Sequence, residues 1–241
     1  YHRVLRRDPR PEEVELAQRF VQDSEQLRRR STAFVWHYGY AKVEKDAAGK
    51  HQLGAFKAFT HFGSTAQTKN RWYPTDTFPD KEFGHLFLAG NGGHPGRDFA
   101  SVLQWTSPFE KERLRLSGVL KRTSPKGNGI RGMIVSSRQG VLVNHLLKPV
   151  DSLDLTAEIE VTQGETLSFV VDSEASTDSD GYSWTPKIER MNADGTRATI
   201  TKADTDFCGP DGWPINRSKP QSPLSQLAQV LMMSNEFQFM D

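Results

Sequence analysis

The hydrophobic period changes twice along this chain. Near both ends apolar residues recur every three or four positions, whereas in the middle they alternate with polar ones. A period near 3.6 favours an amphipathic helix, and alternation favours a β-strand with one buried face. The two changes therefore predict a mainly β fold, an antiparallel β-sandwich between N- and C-terminal α-helices.

The end segments also carry helix-start signals. Glu12 and Glu13 follow Pro11, and Ser222 precedes Pro223, which suits a capping residue and a first helical position. The apolar stripes that follow are Val14, Ala17, Phe20, Val21 and Leu27 in the first segment, and Leu224, Leu227, Ala228, Leu231 and Met232 in the second. Such short helices are marginal alone in water. We therefore expect helices over residues 1–32 and 221–241 that pack on each other.

Short alternating runs fill residues 33–190, separated by turn sequences such as PKGNG, RQG and TQGE. Several strands at this spacing favour an antiparallel sandwich over a parallel α/β sheet. Trp36 and Trp105 each lie in an alternating run, so we interpret both as core. Residues 191–220 are polar and interrupted by glycine and proline, which predicts a return connection with one short strand at 197–202.

Composition excludes several classes of function. The 31 basic and 30 acidic residues give a net charge of +1, which offers no global field for nucleic acid. A single cysteine, Cys208, excludes an intrachain disulfide and a cysteine-based metal site. No apolar run approaches the roughly 20 residues of a membrane span. The first residues lack both an initiator Met and a signal-peptide core, so we expect a piece of a longer protein.

Catalytic motifs are not apparent. The seven histidines form neither His-x-His nor His-Glu-x-x-His, and Gly-x-Ser-x-Gly is absent. The tract VDSEASTDSDG contains Asp172, Glu174, Asp178 and Asp180, and oxygen-rich loops bind calcium in some proteins. Its spacing does not match an EF-hand, so we interpret it as a solvated loop and keep calcium as the weaker alternative, with no other cofactor expected.

The glycine-rich stretch AGNGGHPGRDF, residues 89–99, invites a ligand-loop interpretation. Its glycines do not match the phosphate-loop spacing, and no helical pattern follows. Glycine admits positive φ and Pro95 opposes central strand pairing, so we interpret the stretch as a corner between strands. In the alternative interpretation, His94 and Arg97 point at a ligand from that corner.

Aromatic residues give the stronger indication of a ligand. Flat rings stack on the C–H faces of sugars, while Arg, Asp, Asn and Gln bond the hydroxyl rims. KNRWYPTD places Arg71, Trp72 and Tyr73 beside a proline in a polar context, and Tyr38 and Tyr40 lie on one face of a predicted strand. These residues, with His94 and Arg97, are our predicted saccharide-binding surface.

Two terminal segments resemble a known family. SPLSQLAQVLMMSNEFQFMD, with its Leu-Ala-Gln run and Ser234–Phe237, resembles the C-terminal end of large planctomycete proteins that carry a cytochrome-c-like segment and domains of unknown function. YHRVLRRDPRPEEVELAQRFV resembles a helix upstream in the same family. The middle of the chain is similar to exported bacterial jelly-roll modules in the order of its motifs. The motifs are GGHPGRDFASVLQWTSP, LRLSGVL, GETLSFVVD and DGYSWTPKI. Glu165 stands at a position where those modules frequently have Asp.

The resemblance implies that the sandwich is a jelly roll inserted between the two terminal helices. It also implies an exported protein, in the periplasm or at the cell surface, and no known reaction. Our first hypothesis is a non-catalytic carbohydrate-binding module whose partner is a polysaccharide. The second is a structural or docking domain that binds other parts of a cytochrome-bearing surface protein, and the third is an unrecognised glycan-active enzyme.

Overall fold

The computed structural model describes residues 2, 6–31, 36–174, 176–216 and 221–233, with the backbone alone for 25–31. The chain divides into two compact units, Tyr1–Ala33 with Arg217–Asp241, and Phe34–Asn216. The predicted helix beyond residue 233, including the Ser234–Phe237 motif, lies outside the described residues.

The first unit contains two α-helices, α1 (Pro11–Ser31) and α2 (Pro223–Met232), and residues of the two helices contact each other. The Ser222 hydroxyl accepts the Ser225 N–H at 3.1 Å, as the sequence predicted for a cap. Little apolar surface is buried, since Leu224 is 68% exposed and Leu16 is 62% exposed. None of the described ten residues of α2 is buried.

The second unit is a jelly-roll β-sandwich, which confirms the predicted fold class. Its strands are β1 (Trp36–Ala41), β2 (Val43–Lys45), β3 (His51–Leu53), β4 (Lys57–Ala58), β5 (His61–Phe62), β6 (Arg71–Tyr73), β7 (Phe87–Ala89), β8 (Gly92–His94), β9 (Ala100–Thr106), β10 (Lys111–Arg122), β11 (Ile130–Ser136), β12 (Gly140–Leu147), β13 (Ser152–Thr162), β14 (Thr166–Ser173), β15 (Tyr182–Ser183), β16 (Lys187–Met191) and β17 (Arg197–Lys202).

Every strand pairing in the described part of the unit is antiparallel. One sheet has six strands in the order β12-β11-β14-β9-β1-β4. The other has nine strands, in the order β17-β16-β10-β15-β8-β7-β6-β5 with β13 paired to β10. Strands β2 and β3 form a separate hairpin. The segment that we predicted as a return connection contributes β17, the short strand expected at 197–202, which pairs with β16.

The main core lies between the two large sheets. Trp36 and Trp105 are 1% and 0% exposed, which confirms the prediction that both are core residues. The Trp36 indole N–H donates to the Thr201 hydroxyl at 2.9 Å, so a strand of each sheet contributes to this bond. Phe169 makes edge contacts with Trp36 and Trp184, both with centroids 5.6 Å apart. Such aromatic packing fixes the two sheets against each other.

A second apolar cluster covers part of the other face of the six-stranded sheet. Its buried members are Ala41, Ala100, Val102, Met133, Val135 and Val170. Val43 and Leu53 of the β2–β3 hairpin pack on this cluster, together with Phe56. The six-stranded sheet therefore carries apolar side chains on both faces.

Candidate functional site

A polar cleft of about 550 Å³ lies along short strands of the nine-stranded sheet. We call it the Arg71 cleft. Its lining consists of Lys69, Asn70, Arg71, Phe87, Ala89, Gly90, Asn91, Gly92, Gly93, Thr123, Gly181, Tyr182, Ser183, Asp204, Ile215 and Asn216. The cleft thus combines strands β6, β7, β8 and β15 with polar residues of the loops between them.

The glycines of the GNGG stretch allow the strands beneath the cleft to approach closely. Gly93 pairs with both Leu88 and Tyr182, and a Cβ at Gly93 would lie 2.5 Å from the Phe87 carbonyl oxygen. At Gly92 a Cβ would overlap the Tyr182 carbonyl oxygen. Only glycine fits such positions without displacing backbone. The stretch is therefore a tight hairpin, as the corner interpretation predicted, and its turn also forms one side of the cleft.

Arg71 is the predicted site residue that the structure places in the cleft. Its guanidinium carbon lies 4.7 Å from the centre of the Phe87 ring, a cation–π contact. The side chain is half-buried, and among the described residues no carboxylate makes an ion pair with it. A guanidinium presents several N–H donors in a planar fork that fits carboxylate and sulfate groups, and this one has no acid partner among the described residues.

The remaining polar groups of the cleft include a second cation, Lys69, and amides and hydroxyls that both donate and accept hydrogen bonds. Lys69, Asn70 and Asn91 are exposed at one side, and Asn70 has a positive φ of 61°. The Asn216 amide donates to the Asp204 carbonyl at 3.4 Å. The Asp204 carboxylate is already paired with Lys202 at 2.9 Å. The cleft therefore favours a ligand with negative charge and many hydroxyl groups.

The predicted aromatic surface is wrong for two of its tyrosines. Tyr38 and Tyr73 are 7% and 1% exposed, so neither ring offers a face to a ligand. Alternation gave Tyr38 a place on one face of β1, but that face is turned to the interior. The Tyr38 hydroxyl accepts the Cys208 backbone N–H at 2.8 Å. Burial raises the pKa of both phenols.

Trp72 is also a packing residue. Its ring stacks on Tyr38, with centroids 5.9 Å apart, and makes an edge contact with Phe62 at 5.1 Å. The indole N–H donates to the Cys208 carbonyl at 2.8 Å. The side chain is half-buried and does not line the cleft. Its polar edge and one ring face are therefore already engaged, and the predicted contact of Trp72 with a saccharide stays a prediction.

Tyr40, His94 and Arg97 lie outside the cleft lining. Tyr40 is half-buried in an aromatic cluster with Phe83 and Phe99, at 5.1 and 5.2 Å. The His94 ring lies behind Phe87, 6.4 Å from it, and bonds the Pro95 carbonyl through Nδ1 at 2.7 Å. Burial lowers the pKa of His94. Arg97 is exposed on the adjoining turn.

Sequence reasoning missed most of the cleft. Asp204, Ile215 and Asn216 belong to the segment interpreted as a return connection, and Thr123 follows the long strand β10. No local motif marks these residues, because only the sheet order brings them beside Arg71. Asn91 had a signal, since Gly90-Asn91 joins two short strands, but it indicated a turn and not a ligand.

A buried ion pair lies next to the cleft. Arg122 and Asp180 have side chains that are both 0% exposed, with Nη2 3.1 Å from Oδ1. The same Nη2 donates to the carbonyls of Lys126 and Ser179, at 2.6 and 3.0 Å. Burial raises the pKa of Asp180 to about 6, and the Arg122 charge opposes that shift. The residues that follow this pair, Thr123 and Gly181, line the cleft.

The acidic tract considered for calcium is engaged with arginines. Asp180 pairs with Arg122, and Glu174 pairs with Arg131 at 2.9 Å. Within the described ranges, no three His, Cys, Asp or Glu side chains are grouped as a metal site requires. In the same part of the chain, no helix has the length and hydropathy of a membrane span. The calcium expectation stays a prediction.

Comparison with known proteins gives likenesses of fold. No protein-family model and no curated protein matches the chain. Among solved structures, a PA14 sugar-binding domain from an RTX adhesin is similar at 8% identity and a TM-score of 0.31, covering 69% of this chain and 96% of that one.

Two CBM35 structures are also similar. The CBM35 from Cellvibrio japonicus Abf62 matches at 11% identity and a TM-score of 0.27, covering 69% of this chain and 97% of that one. A Xyl-CBM35 in complex with a glucuronic acid containing disaccharide matches at 13% identity and a TM-score of 0.25, covering 73% and 99%. At these identities and TM-scores the likenesses do not indicate what this chain binds.

Proposed function

We propose that the β-sandwich unit binds a polysaccharide without cleaving it, and that the Arg71 cleft holds an acidic sugar of that chain. The observation that carries the proposal is the half-buried Arg71 guanidinium on Phe87, without a carboxylate partner in the described chain. Lys69 adds a second positive charge, and Asn70, Asn91 and Asn216 supply amides. A uronate or sulfate group supplies the missing anion, and sugar hydroxyls suit the amides.

The cleft lacks the usual arrangement for cleavage. Glycosidases generally require two carboxyl groups facing the scissile bond. Of the described residues that line the cleft, Asp204 is the only carboxylate, and Lys202 already holds it at 2.9 Å. A single engaged carboxylate favours binding without hydrolysis. The glycan-active hypothesis therefore ranks behind the binding hypothesis.

The test compares the parent with Arg71→Met and Arg71→Lys by calorimetry against hexagalacturonate, a chondroitin sulfate hexasaccharide and neutral hexasaccharides. Losing a charged hydrogen bond costs about 1.5–3 kcal/mol, or roughly 10- to 100-fold in affinity. We expect that loss for one acidic ligand in the Met variant and a smaller loss in the Lys variant. Raising the salt concentration should weaken the parent's binding.

Arg197→Met is the matched control, because Arg197 is exposed on β17 and does not line the Arg71 cleft. Its acidic-ligand affinity should equal that of the parent. An Arg71→Met variant that melts like the parent and keeps full affinity would contradict the proposal. Reducing-end analysis after prolonged incubation should show no new chain ends, and their appearance would support the enzyme hypothesis.

We further propose, on the resemblance of the terminal segments alone, that this chain is part of an exported planctomycete protein with a cytochrome-c-like segment. Cell fractionation with an antibody against the sandwich tests the export. If no glycan binds, the docking hypothesis is the better one. Gel filtration of this chain mixed with the other segments of the proposed cytochrome-bearing protein then tests it.

A further inference from the structure

A larger groove, of about 690 Å³, lies on the face of the six-stranded sheet that points away from the main core. We call it the sheet groove. Strands β9, β11 and β14 contribute to its floor, and the β2–β3 hairpin and the β11–β12 turn border it. Its lining consists of Asp46, Lys50, His51, Gln52, Leu53, Gly54, Phe56, Gln104, Val135, Ser136, Ser137, Gln139, Gly140, Val141, Thr166 and Ser168.

We infer that the sheet groove is a second saccharide site, which takes an uncharged stretch of polysaccharide. The inference goes beyond the proposed function, since the groove and the Arg71 cleft share no lining residue and lie on different sheets. It depends on ring stacking and neutral hydrogen bonds and not on the Arg71 guanidinium.

An aromatic ring is seated at the groove by a glycine. Phe56 packs against β1, and a Cβ on Gly39 would lie 2.6 Å from two carbons of its ring. The absence of a side chain at Gly39 therefore lets the ring approach the strand backbone. Phe56 is half-buried and lines the groove, so part of its ring surface remains accessible. A fixed ring of this kind offers a stacking surface for the C–H face of a sugar.

The floor carries uncharged polar side chains next to the apolar Val135 and Val141. The Gln104 amide donates to the Ser168 hydroxyl at 3.0 Å, and the two residues are register partners on β9 and β14. Among the described residues, none donates a hydrogen bond to the Gln104 amide oxygen. Amides and hydroxyls both donate and accept, which matches the hydroxyl rim of a neutral sugar. Thr166 and Ser137 extend this chemistry along the lining.

The charged groups of the groove are few and balanced. Asp46 accepts the backbone N–H groups of Ala48 and Lys50, both at 2.9 Å, so its carboxylate holds the hairpin turn. Lys50 supplies one positive charge against it. Burial and the nearby Arg131 lower the pKa of His51, which disfavours the charged form of its imidazole. An acidic sugar therefore finds no net attraction here, unlike in the Arg71 cleft.

Two separate saccharide sites would make the sandwich bivalent. A polysaccharide that engages both sites gains avidity without any new contact, and two polysaccharide chains can be bridged by one protein molecule. This consequence distinguishes the inference from a single-site binding module.

The test uses Gln104→Leu, which removes the hydrogen-bonding amide while retaining a side chain of similar size. Gln163→Leu is the control, because Gln163 is exposed on the β13–β14 turn and lines neither groove. The probes are cellohexaose, xylohexaose, mannohexaose and hexagalacturonate, measured by calorimetry. Melting temperatures establish that each variant is folded, and ¹H–¹⁵N spectra of the parent report on the Gln104 side-chain amide.

We expect at least one neutral hexasaccharide to shift the Gln104 amide signal and to bind Gln104→Leu at least tenfold more weakly than the parent. Hexagalacturonate affinity should be unchanged in that variant and reduced in Arg71→Met. Three results would overturn the inference. The first is that no neutral hexasaccharide binds, and the second is that one binds Gln104→Leu as tightly as the parent. The third is that folded Gln104→Leu or folded Arg71→Met loses affinity for both neutral and acidic ligands. Neutral binding with no acidic binding would overturn the acidic-sugar assignment of the Arg71 cleft and leave the sheet groove standing.

Discussion

The Arg71 cleft lies on strands of two or three residues held together by close backbone approach, whereas the sheet groove has strands of seven and eight residues in its floor. The cleft carries an arginine without an acid partner in the described chain, and the groove carries amides, hydroxyls and one phenyl ring. A short-strand surface depends on nearby charges and turns for its shape. A long-strand surface inherits its shape from the sheet, so the two should respond differently to changes in charge.

The largest expected effect comes from the buried pair beside the cleft. Arg122→Met leaves Asp180 without its cation in an environment that is 0% exposed. Removing one partner of such a pair costs about 3–5 kcal/mol. We expect a loss of that size in the free energy of unfolding, measured by urea denaturation. Asp180→Asn should cost less, because the carbonyls of Lys126 and Ser179 still accept from Arg122.

The double variant Arg122→Met/Asp180→Leu completes the cycle. Replacing both charges with apolar groups recovers part of the loss, because no uncompensated charge stays buried. At temperatures where the variants are folded, acidic-ligand affinity should suffer more than neutral-ligand affinity, since Thr123 and Gly181 line only the cleft. A cost below about 1 kcal/mol for Arg122→Met would show that the pair does not hold this region.

The next effect is a pH dependence of the free energy of unfolding that arises near the sheet groove. Asp172 is the register partner of Arg131, whose guanidinium bonds Asn144 at 2.8 Å, and Asn144 in turn bonds His51 of the sheet groove at 3.2 Å. Burial raises the pKa of Asp172 to about 7, against roughly 3.9 in an unfolded chain. A raised folded-state pKa adds stability below pH 4 that is lost as the pH rises through 7.

Asp172→Asn removes the free-energy cost of burying an ionised carboxylate at this position. We expect its free energy of unfolding to exceed the parent's at pH 8 by up to about 2–4 kcal/mol, and to match the parent's near pH 4. Asp178→Asn is the control, since Asp178 lies in the same acidic tract and lines neither the Arg71 cleft nor the sheet groove. Equal pH profiles for the parent and Asp172→Asn would contradict the assignment. Denaturant titrations at pH 4, 6 and 8 provide the measurement.

A smaller effect concerns the corner behind the cleft. His94→Ala removes the bond to the Pro95 carbonyl and the ring contacts with Phe87 and His85, at 6.4 and 5.7 Å. We expect a loss of about 1–2 kcal/mol in stability and less than a threefold change in acidic-ligand affinity. Chemical denaturation and calorimetry measure the two quantities. A variant that melts like the parent but loses its ligand would make His94 a binding residue.

Particular residues show how far the sequence could lead. The helix-start signals at Ser222 and Pro223 and the alternation around Trp36 and Trp105 were sufficient, because each depends on local patterns. Tyr38 was misjudged because alternation shows which residues share a strand face but does not show which face is interior. The six-stranded sheet is covered by apolar clusters on both sides. Arg71 was found because a basic residue among aromatics is visible in one short segment.

The sheet groove lay beyond local reasoning for a different reason. Phe56, Gln104 and Ser168 come from three distant segments, and they converge only through the pairing of β1, β9 and β14. No residue among them is unusual in its own segment. Register between strands far apart in sequence is set by the whole core, so a polar sheet face becomes visible only once the fold is known.

The smallest expected effect, a null one, concerns calcium. A calcium site needs several oxygen ligands that are free to bind it. The lining carboxylates are already engaged, Asp204 with Lys202 and Asp46 with backbone N–H groups, while Asp180 and Glu174 pair with arginines. A site with a dissociation constant of about 1 mM would add about 1 kcal/mol of stability at about 5 mM calcium. We expect the melting temperature to move by less than about 1 °C between calcium and a chelator, because the described residues group no three potential metal ligands. The opposite result is a rise of several degrees in the melting temperature with calcium but not with magnesium, which Asp178→Asn abolishes. That result would place a calcium ion in the acidic tract and make the cleft beside it cation-dependent.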